Sequence, residues 1–362
     1  KYIQTTAAIS PGSSGGGLFD DQAKLVGITT FYLEGGQSLN FALPVDWIAE
    51  LPKRAQTRNA APTKGLTSIE WLNKAAALIE KKDRKGLLQL LQHSQKWVRA
   101  EPNNPLAWMC LGDVYLSLDP LENGIKAIRA VQQAVRLEPD SAVGWKILGY
   151  VYTEAIPRQY AKAIEACQRA IRLEPDNPEA WYYLGTAYNG LNQWAKAIEA
   201  FQEAIRLKPD SAVAWQDMGL AYNGLSQYIK AIEACQEAIR LKPDDPVTSE
   251  AWYQLGWAYN RLNQYAKAIE AHQEAIRLKP YFSMAWCDMG MAYGQLLEYG
   301  KAIDAYQAAI RHYPTYAEAW WGLGLTYYYS GNRAEARPIY QKLKKLDPVL
   351  AEKYFQVVIL PQ

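Results

Sequence analysis

Seven tryptophans, Trp108, Trp145, Trp181, Trp215, Trp252, Trp286 and Trp320, follow one another at spacings of 37, 36, 34, 37, 34 and 34 residues. A recurring phrase of about this length confines a chain to a stack of similar units, because each unit is too small to bury its apolar face alone. In the clearest unit, Trp181, Leu184, Gly185 and Tyr188 fall at i, i+3, i+4 and i+7, and Ala197, Phe201 and Ala204 are 4 and 3 apart. Both patterns describe amphipathic helices, so each unit is a helical hairpin. Gly185 and Ala197 are small where the two helices cross, and Trp181, Tyr188 and Phe201 fill the space around them. The punctuation agrees. Asn177 is placed to cap the first helix with Pro178 at its first position, Asn192 suits the left-handed conformation at the turn, and Pro209 ends the second helix. Extra residues at 119–122, 155–158 and 244–249 fall in turns or between repeats, where lengthening costs little.

The residues that carry this pattern resemble the tetratricopeptide repeat: Trp, Leu-Gly, Tyr, Ala, a large residue, Ala and a closing Pro. They recur as Trp252, Leu255, Gly256, Tyr259, Ala268, His272, Ala275 and Pro280, and as Trp320, Leu323, Gly324, Tyr327, Ala336, Tyr340, Leu343 and Pro348. The resemblance implies a mainly α fold, a right-handed solenoid whose first helices line a concave surface that holds peptides or partner proteins. Seven repeats span 103–348 and are expected to fold as a continuous solenoid. Residues 68–102 read as a helical cap or degenerate repeat. Residues 349–362 read as a capping helix with Leu350, Tyr354 and Val357 on one face.

Alignment of the repeats puts Tyr182, Thr186 and Asn189, then Gln216, Leu220 and Asn223, then Tyr253, Trp257 and Asn260, along the inner face. This set is aromatic and amide-rich and lacks the Lys and Asn set of the family's carboxylate-clamp members, so a C-terminal acidic tail is not the expected ligand. The recurrent asparagines either hydrogen-bond the backbone of an extended peptide or are copies left by duplication.

Charge and composition exclude several other classes. Lys and Arg number 39 against 37 Asp and Glu, so no long-range field favours nucleic acid, and no apolar run is long enough to span a membrane. Cys110, Cys167, Cys235 and Cys287 lie one per repeat without metal-ligand spacing and read as small core residues. No metal or other cofactor is expected. Self-association remains open.

Residues 1–51 follow a different pattern: Lys24 to Phe31 and Ser38 to Leu43 read as two short strands about Gly35-Gly36. The run TTAAISPGSSGGGLFDDQAKLVGITT, followed by LNFALPVDWI, resembles the final part of a trypsin-like serine protease of the high-temperature-requirement (HtrA) type. That resemblance implies a C-terminal fragment of a β-barrel, with Ser14 as nucleophile and the backbone N–H groups of Gly12 and Ser14 as oxyanion hole. A serine nucleophile needs a base and an orienting carboxylate. The 13 residues before Ser14 contain no His, Asp or Glu, and His93, His272 and His312 all lie in the helical part. The chain as given is therefore expected not to hydrolyse peptides. The stretch 52–67, with basic residues and no acidic one, reads as a linker. Three functions stay open: a binding scaffold, a fragment of an active protease whose repeats recruit substrates or mediate assembly, and a scaffold carrying a decayed protease remnant. The protease resemblance points to an extracytoplasmic, periplasmic location.

Overall fold

The structure is a computed structural model that describes residues 67–79 and 83–360, together with the backbone of five short strands between Gly17 and Pro44. The chain divides into two compact units, Lys1–Pro175 and Asp176–Gln362, and each is described by itself.

In the first unit, strands Gly17–Phe19 and Leu25–Ile28 pair antiparallel, Leu25–Ile28 pairs antiparallel with Leu43–Pro44, and Tyr32–Leu33 pairs with Gln37–Ser38. These strands are two to four residues long and do not by themselves identify a trypsin-like barrel. The helices that follow are α1 (Ser68–Ile79), α2 (Arg84–Ala100), α3 (Pro105–Leu118), α4 (Pro120–Leu137), α5 (Ala142–Glu154) and α6 (Tyr160–Leu173). Trp71 of α1 lies 6.3 Å from Trp97 of α2 in a stacked arrangement. His93, buried between these helices, has its Nε2 2.8 Å from the Trp71 carbonyl, and burial lowers its pKa. The reading of His93 as structural agrees with this placement.

The second unit contains α7 (Pro178–Gly190), α8 (Trp194–Leu207), α9 (Ala212–Gly224), α10 (Tyr228–Leu241), α11 (Ser249–Arg261), α12 (Tyr265–Leu278), α13 (Ser283–Gln295), α14 (Tyr299–His312), α15 (Ala317–Tyr329), α16 (Arg333–Leu346) and α17 (Pro348–Tyr354). Consecutive helices pair as hairpins, and within each unit hairpin packs on hairpin.

One glycine sets each crossing. A Cβ on Gly185 would lie 2.6 Å from the Phe201 ring, on Gly219 2.5 Å from Cys235 Sγ, and on Gly256 2.6 Å from the His272 ring. No side chain fits at those distances, so the helices approach as closely as the bare backbone permits. His272 is fully buried at this crossing, and burial pushes its pKa down to about 3. It is a neutral packing residue.

Two tethers join successive hairpins. The indole N–H of Trp108, Trp145, Trp215, Trp286 and Trp320 donates to the carbonyl of the proline six residues earlier, at 2.7 to 3.2 Å. The insertion at 244–249 breaks this pattern: it forms a 3₁₀ turn, Pro246–Thr248, and leaves Trp252 Nε1 buried without a partner among the described residues. Gln95, Gln132, Gln273 and Gln307 donate from second helices to Tyr115, Tyr152, Tyr293 and Tyr327, each 20 residues on.

The C-terminal helix differs from its expected register. Tyr354 is fully buried and donates to the Ala336 carbonyl at 2.7 Å, but Val358 rather than Val357 is buried beside it. A π turn at Phe355–Ile359 follows α17 directly, and Val358 lies four residues beyond Tyr354, on the covered side of the turn.

The turns inside the hairpins of the second unit need a left-handed residue: Asn192, Ser226, Asn263, Leu297 and Gly331 have φ of 56°, 58°, 58°, 61° and 84°. Leucine is strained there and, at 69% exposed, gains little from burial. Leu297→Asn is expected to raise stability by about 0.5–1 kcal/mol in urea unfolding; a neutral or destabilising result would show that the turn tolerates leucine without strain.

Candidate functional site

In the second unit, the residues one, five and eight positions after each tryptophan form one face of the first helices. Tyr182, Thr186, Gln216, Leu220, Tyr253 and Trp257 are partly exposed along it. Asn189, Asn223 and Asn260 are instead buried, at 9%, 3% and 5% exposure. Their amide nitrogens reach the next repeat: Asn189 Nδ2 donates to the Asp217 carbonyl at 3.1 Å, Asn223 Nδ2 to the Gln254 carbonyl at 3.0 Å, and Asn260 Nδ2 to the Asp288 carbonyl at 3.3 Å and lies 3.2 Å from His272 Nε2 of its own repeat, while the three Oδ1 atoms are buried without a partner among the described residues. The donors foreseen for a peptide backbone are therefore already occupied, and the repetition of asparagine has a physical reason in repeat-to-repeat bridging.

A second polar element lies behind the face. Tyr182 Oη donates to Asp217 Oδ2 at 2.9 Å, and Gln216 Nε2 lies 3.3 Å from Asp217 Oδ1. The pair recurs 71 residues later as Tyr253 and Asp288, where burial pushes the carboxyl up to about 6 and the bond from Tyr253 opposes the rise. Thr186 is less available than its position suggests, since its hydroxyl donates back to the Tyr182 carbonyl at 3.1 Å. Asp217, Gln254 and Asp288 were not singled out from sequence. Their signal was present as a polar residue two positions after Trp215, Trp252 and Trp286, but position alone does not reveal that their carbonyls receive the asparagines.

In the first unit, Asp113 has the register of Thr186, five residues after its tryptophan. It is buried, no hydrogen bond reaches its carboxyl among the described residues, and desolvation pushes its pKa up to about 7. The arrangement offers no metal site: no group of three or more His, Cys, Asp or Glu able to hold an ion occurs among the described residues. Burial also raises the thiols of Cys110, Cys167, Cys235 and Cys287, to about 12 for Cys110, as expected of unreactive core residues. No described helix is long and apolar enough to cross a membrane. Ser14 and Gly12 lie outside the described residues.

One tetratricopeptide repeat model matches residues 210–280, and another matches 157–212 and 287–351. Among solved structures, a chain of the APC/C hetero-tetramer Cut9-Hcn1 aligns over 89% of this chain and 61% of its own length, with TM-score 0.59 and 20% identity, a likeness of fold. Two curated relatives are proteases. The serine endoprotease DegS of Haemophilus influenzae is 31% identical over 139 residues, 36% of each chain. The putative serine protease HhoB of Synechocystis is 42% identical over 45 residues, 12% of this chain and 11% of that protein. The chain thus spans about a third or less of the length of the curated relatives it matches.

The folded protein holds the Asp113 proton more tightly than the unfolded chain does, so this group's contribution to stability falls as pH rises from about 4 to about 7. Asp113→Asn is expected to flatten that fall and to gain stability over the wild type at pH 7.5, by at most about 4 kcal/mol. Parallel pH profiles of wild type and variant in urea melts would contradict the buried, unpaired carboxyl.

Proposed function

From a chain that belongs to the tetratricopeptide repeat family through residues 157–280 and 287–351, we infer a scaffold whose first helices hold a peptide or a partner protein. The observation that carries this reading is the division of labour on one helical face. Asn189, Asn223 and Asn260 lock neighbouring repeats together, while Tyr182, Gln216, Leu220, Tyr253 and Trp257 stay partly open beside them. A rigid row of aromatic and amide side chains binds extended chain with little loss of side-chain entropy, because the rings have few rotatable bonds and their backbones are already fixed. In this reading the aromatics supply contact area, and the asparagines supply the spacing.

Selection of a random 12-residue display library on the immobilised protein tests it. Captured sequences are expected to bind the wild type and to lose at least tenfold in affinity to Trp257→Ala, with melting temperature little changed, and to Tyr253→Ala, which also lowers the melting temperature because it strips Asp288 of its tyrosine. Asn223→Ala is expected to lower the melting temperature. Undiminished capture by both aromatic variants would remove the face from the function.

The second reading is a piece of a serine endopeptidase whose repeats recruit substrate. It is favoured by the DegS and HhoB likenesses and by the run from Thr5 to Thr30, with Ser14 as nucleophile and the Gly12 and Ser14 N–H groups as oxyanion hole. Ser14 in this chain has no evident base. A fluorophosphonate probe is therefore expected to leave Ser14 unmodified, as read by intact mass, and stoichiometric labelling abolished by Ser14→Ala would reverse the order of the two readings.

A further inference from the structure

Cations lie over aromatic rings throughout the helical part, and six lysines among them follow one rule. Lys126, Lys162, Lys196, Lys230, Lys267 and Lys301, near the start of second helices, sit 5.4 to 5.9 Å from the rings of Tyr115, Tyr152, Tyr188, Tyr222, Tyr259 and Tyr293 within the same hairpin. Recurrence in six consecutive hairpins marks these as part of the repeat itself.

Arg261 departs from the rule. Its guanidinium lies 5.7 Å from the Trp257 ring and 5.9 Å from the Tyr228 ring, and its Nε is 3.3 Å from Tyr228 Oη. The two rings meet edge to face at 5.7 Å. One repeat earlier the corresponding position is Gly224, with the Trp194 indole 2.6 Å from where a Cβ would stand. At that interface the ring covers bare backbone; at this one the arginine side chain spreads across it. Arg206, Arg240 and Arg277 each pair with a carboxylate, but Arg261 has no ion pair among the described residues and is exposed. Its Nε is engaged by Tyr228, and its two Nη groups have no hydrogen-bond partner among the described residues. Two rings fix the plane of the fork in advance, which reduces the ordering cost of binding a planar anion.

We propose that Arg261, set by Trp257 and Tyr228, is the anchor on this face for a carboxylate side chain within an extended peptide. The proposal rests on the scaffold reading and narrows its ligand. An internal Asp or Glu fits better than a chain end, because α11 is the middle of the five first helices of the unit and accessible apolar face residues continue on both sides, the partly exposed Leu220 in one direction and the exposed Met291 and partly exposed Leu325 in the other. The peptide's apolar neighbour then packs on Trp257. A phosphate presents similar oxygens to the same fork and is a separate arm of the test.

The experiment uses fluorescein-labelled 12-residue peptides, drawn from the selected sequences, with amidated C-termini and Glu, Gln, Lys or phosphoserine at the varied position, and one Gln peptide with a free carboxylate end. Fluorescence anisotropy is measured with the full chain at low and at 0.5 M salt. The wild type is expected to prefer Glu to Gln by about tenfold, with the preference shrinking at high salt. Arg261→Gln is expected to erase it and Arg261→Lys, which keeps the charge but loses the planar fork, to reduce it to about threefold. Circular dichroism melts confirm that both variants fold. Equal Glu and Gln affinity in the wild type, or a preference that survives in Arg261→Gln, overturns the anchor and leaves the scaffold standing. Tighter binding of phosphoserine or of the free C-terminus than of internal Glu overturns the assignment of ligand. Failure of every peptide to bind overturns anchor and scaffold together.

Discussion

The close crossing of two helices at a glycine is the constraint on which the helical part depends. At Gly149, Gly185, Gly219 and Gly256 the space a methyl group would take is filled by Cys167, Phe201, Cys235 and His272 from the second helix. A backbone packed against a side chain excludes water from both and brings a large share of each hairpin's apolar surface into contact. The glycine cannot change, but its partner can. Cysteine, phenylalanine and histidine all serve, because the groove they enter is formed by backbone and small residues, and only volume and neutrality are required. The histidine meets that requirement by staying uncharged.

Once the hairpins are set, the polar groups have few places to go. The tryptophan indoles reach the carbonyls of the preceding prolines, and the asparagines reach carbonyls two residues beyond the next tryptophan. Burying an amide is tolerable only where its donors are satisfied, so these bonds also lock spacing and rotation between repeats. The carboxylates of Asp217 and Asp288 are held by tyrosines in the same layer. The Tyr–Asp pair recurs after 71 residues, in alternate repeats, while the asparagine bonds recur in each of the three. Between the two Tyr–Asp layers lies a glutamine, Gln254, whose carbonyl and side-chain oxygen both accept from Asn223.

The same division separates what serves the stack from what is left over. Lysines over tyrosines inside six of the hairpins, glutamines to tyrosines between hairpins and tryptophans to prolines are repeated features of the repeat junctions. Arg261 and Trp257 are not accounted for in this way: Trp257 lies on the partly open face, and the exposed Arg261, four residues further along the helix, lays its guanidinium over that ring. In an array, chemistry that occurs once is the part that duplication and packing leave unexplained.

Much of this was legible in the chain because periodicity records it. The hairpins, the glycine crossings, the cap at Asn177, the left-handed turn at Asn192 and the packing role of His272 follow from residue spacing and local conformational preference, which act over a few residues. What spacing could not reveal was the direction of a bond: Asn189, Asn223 and Asn260 occupy positions on the face yet turn their amide nitrogens toward backbone carbonyls of the next repeat. Nor could it show that a π turn puts Val358 where a regular helix was expected to put Val357. Sequence determined the hairpin and its repetition through local energetics, and tertiary structure alone decided which polar side chains remain free, because that depends on groups about 30 residues away reaching within hydrogen-bonding distance.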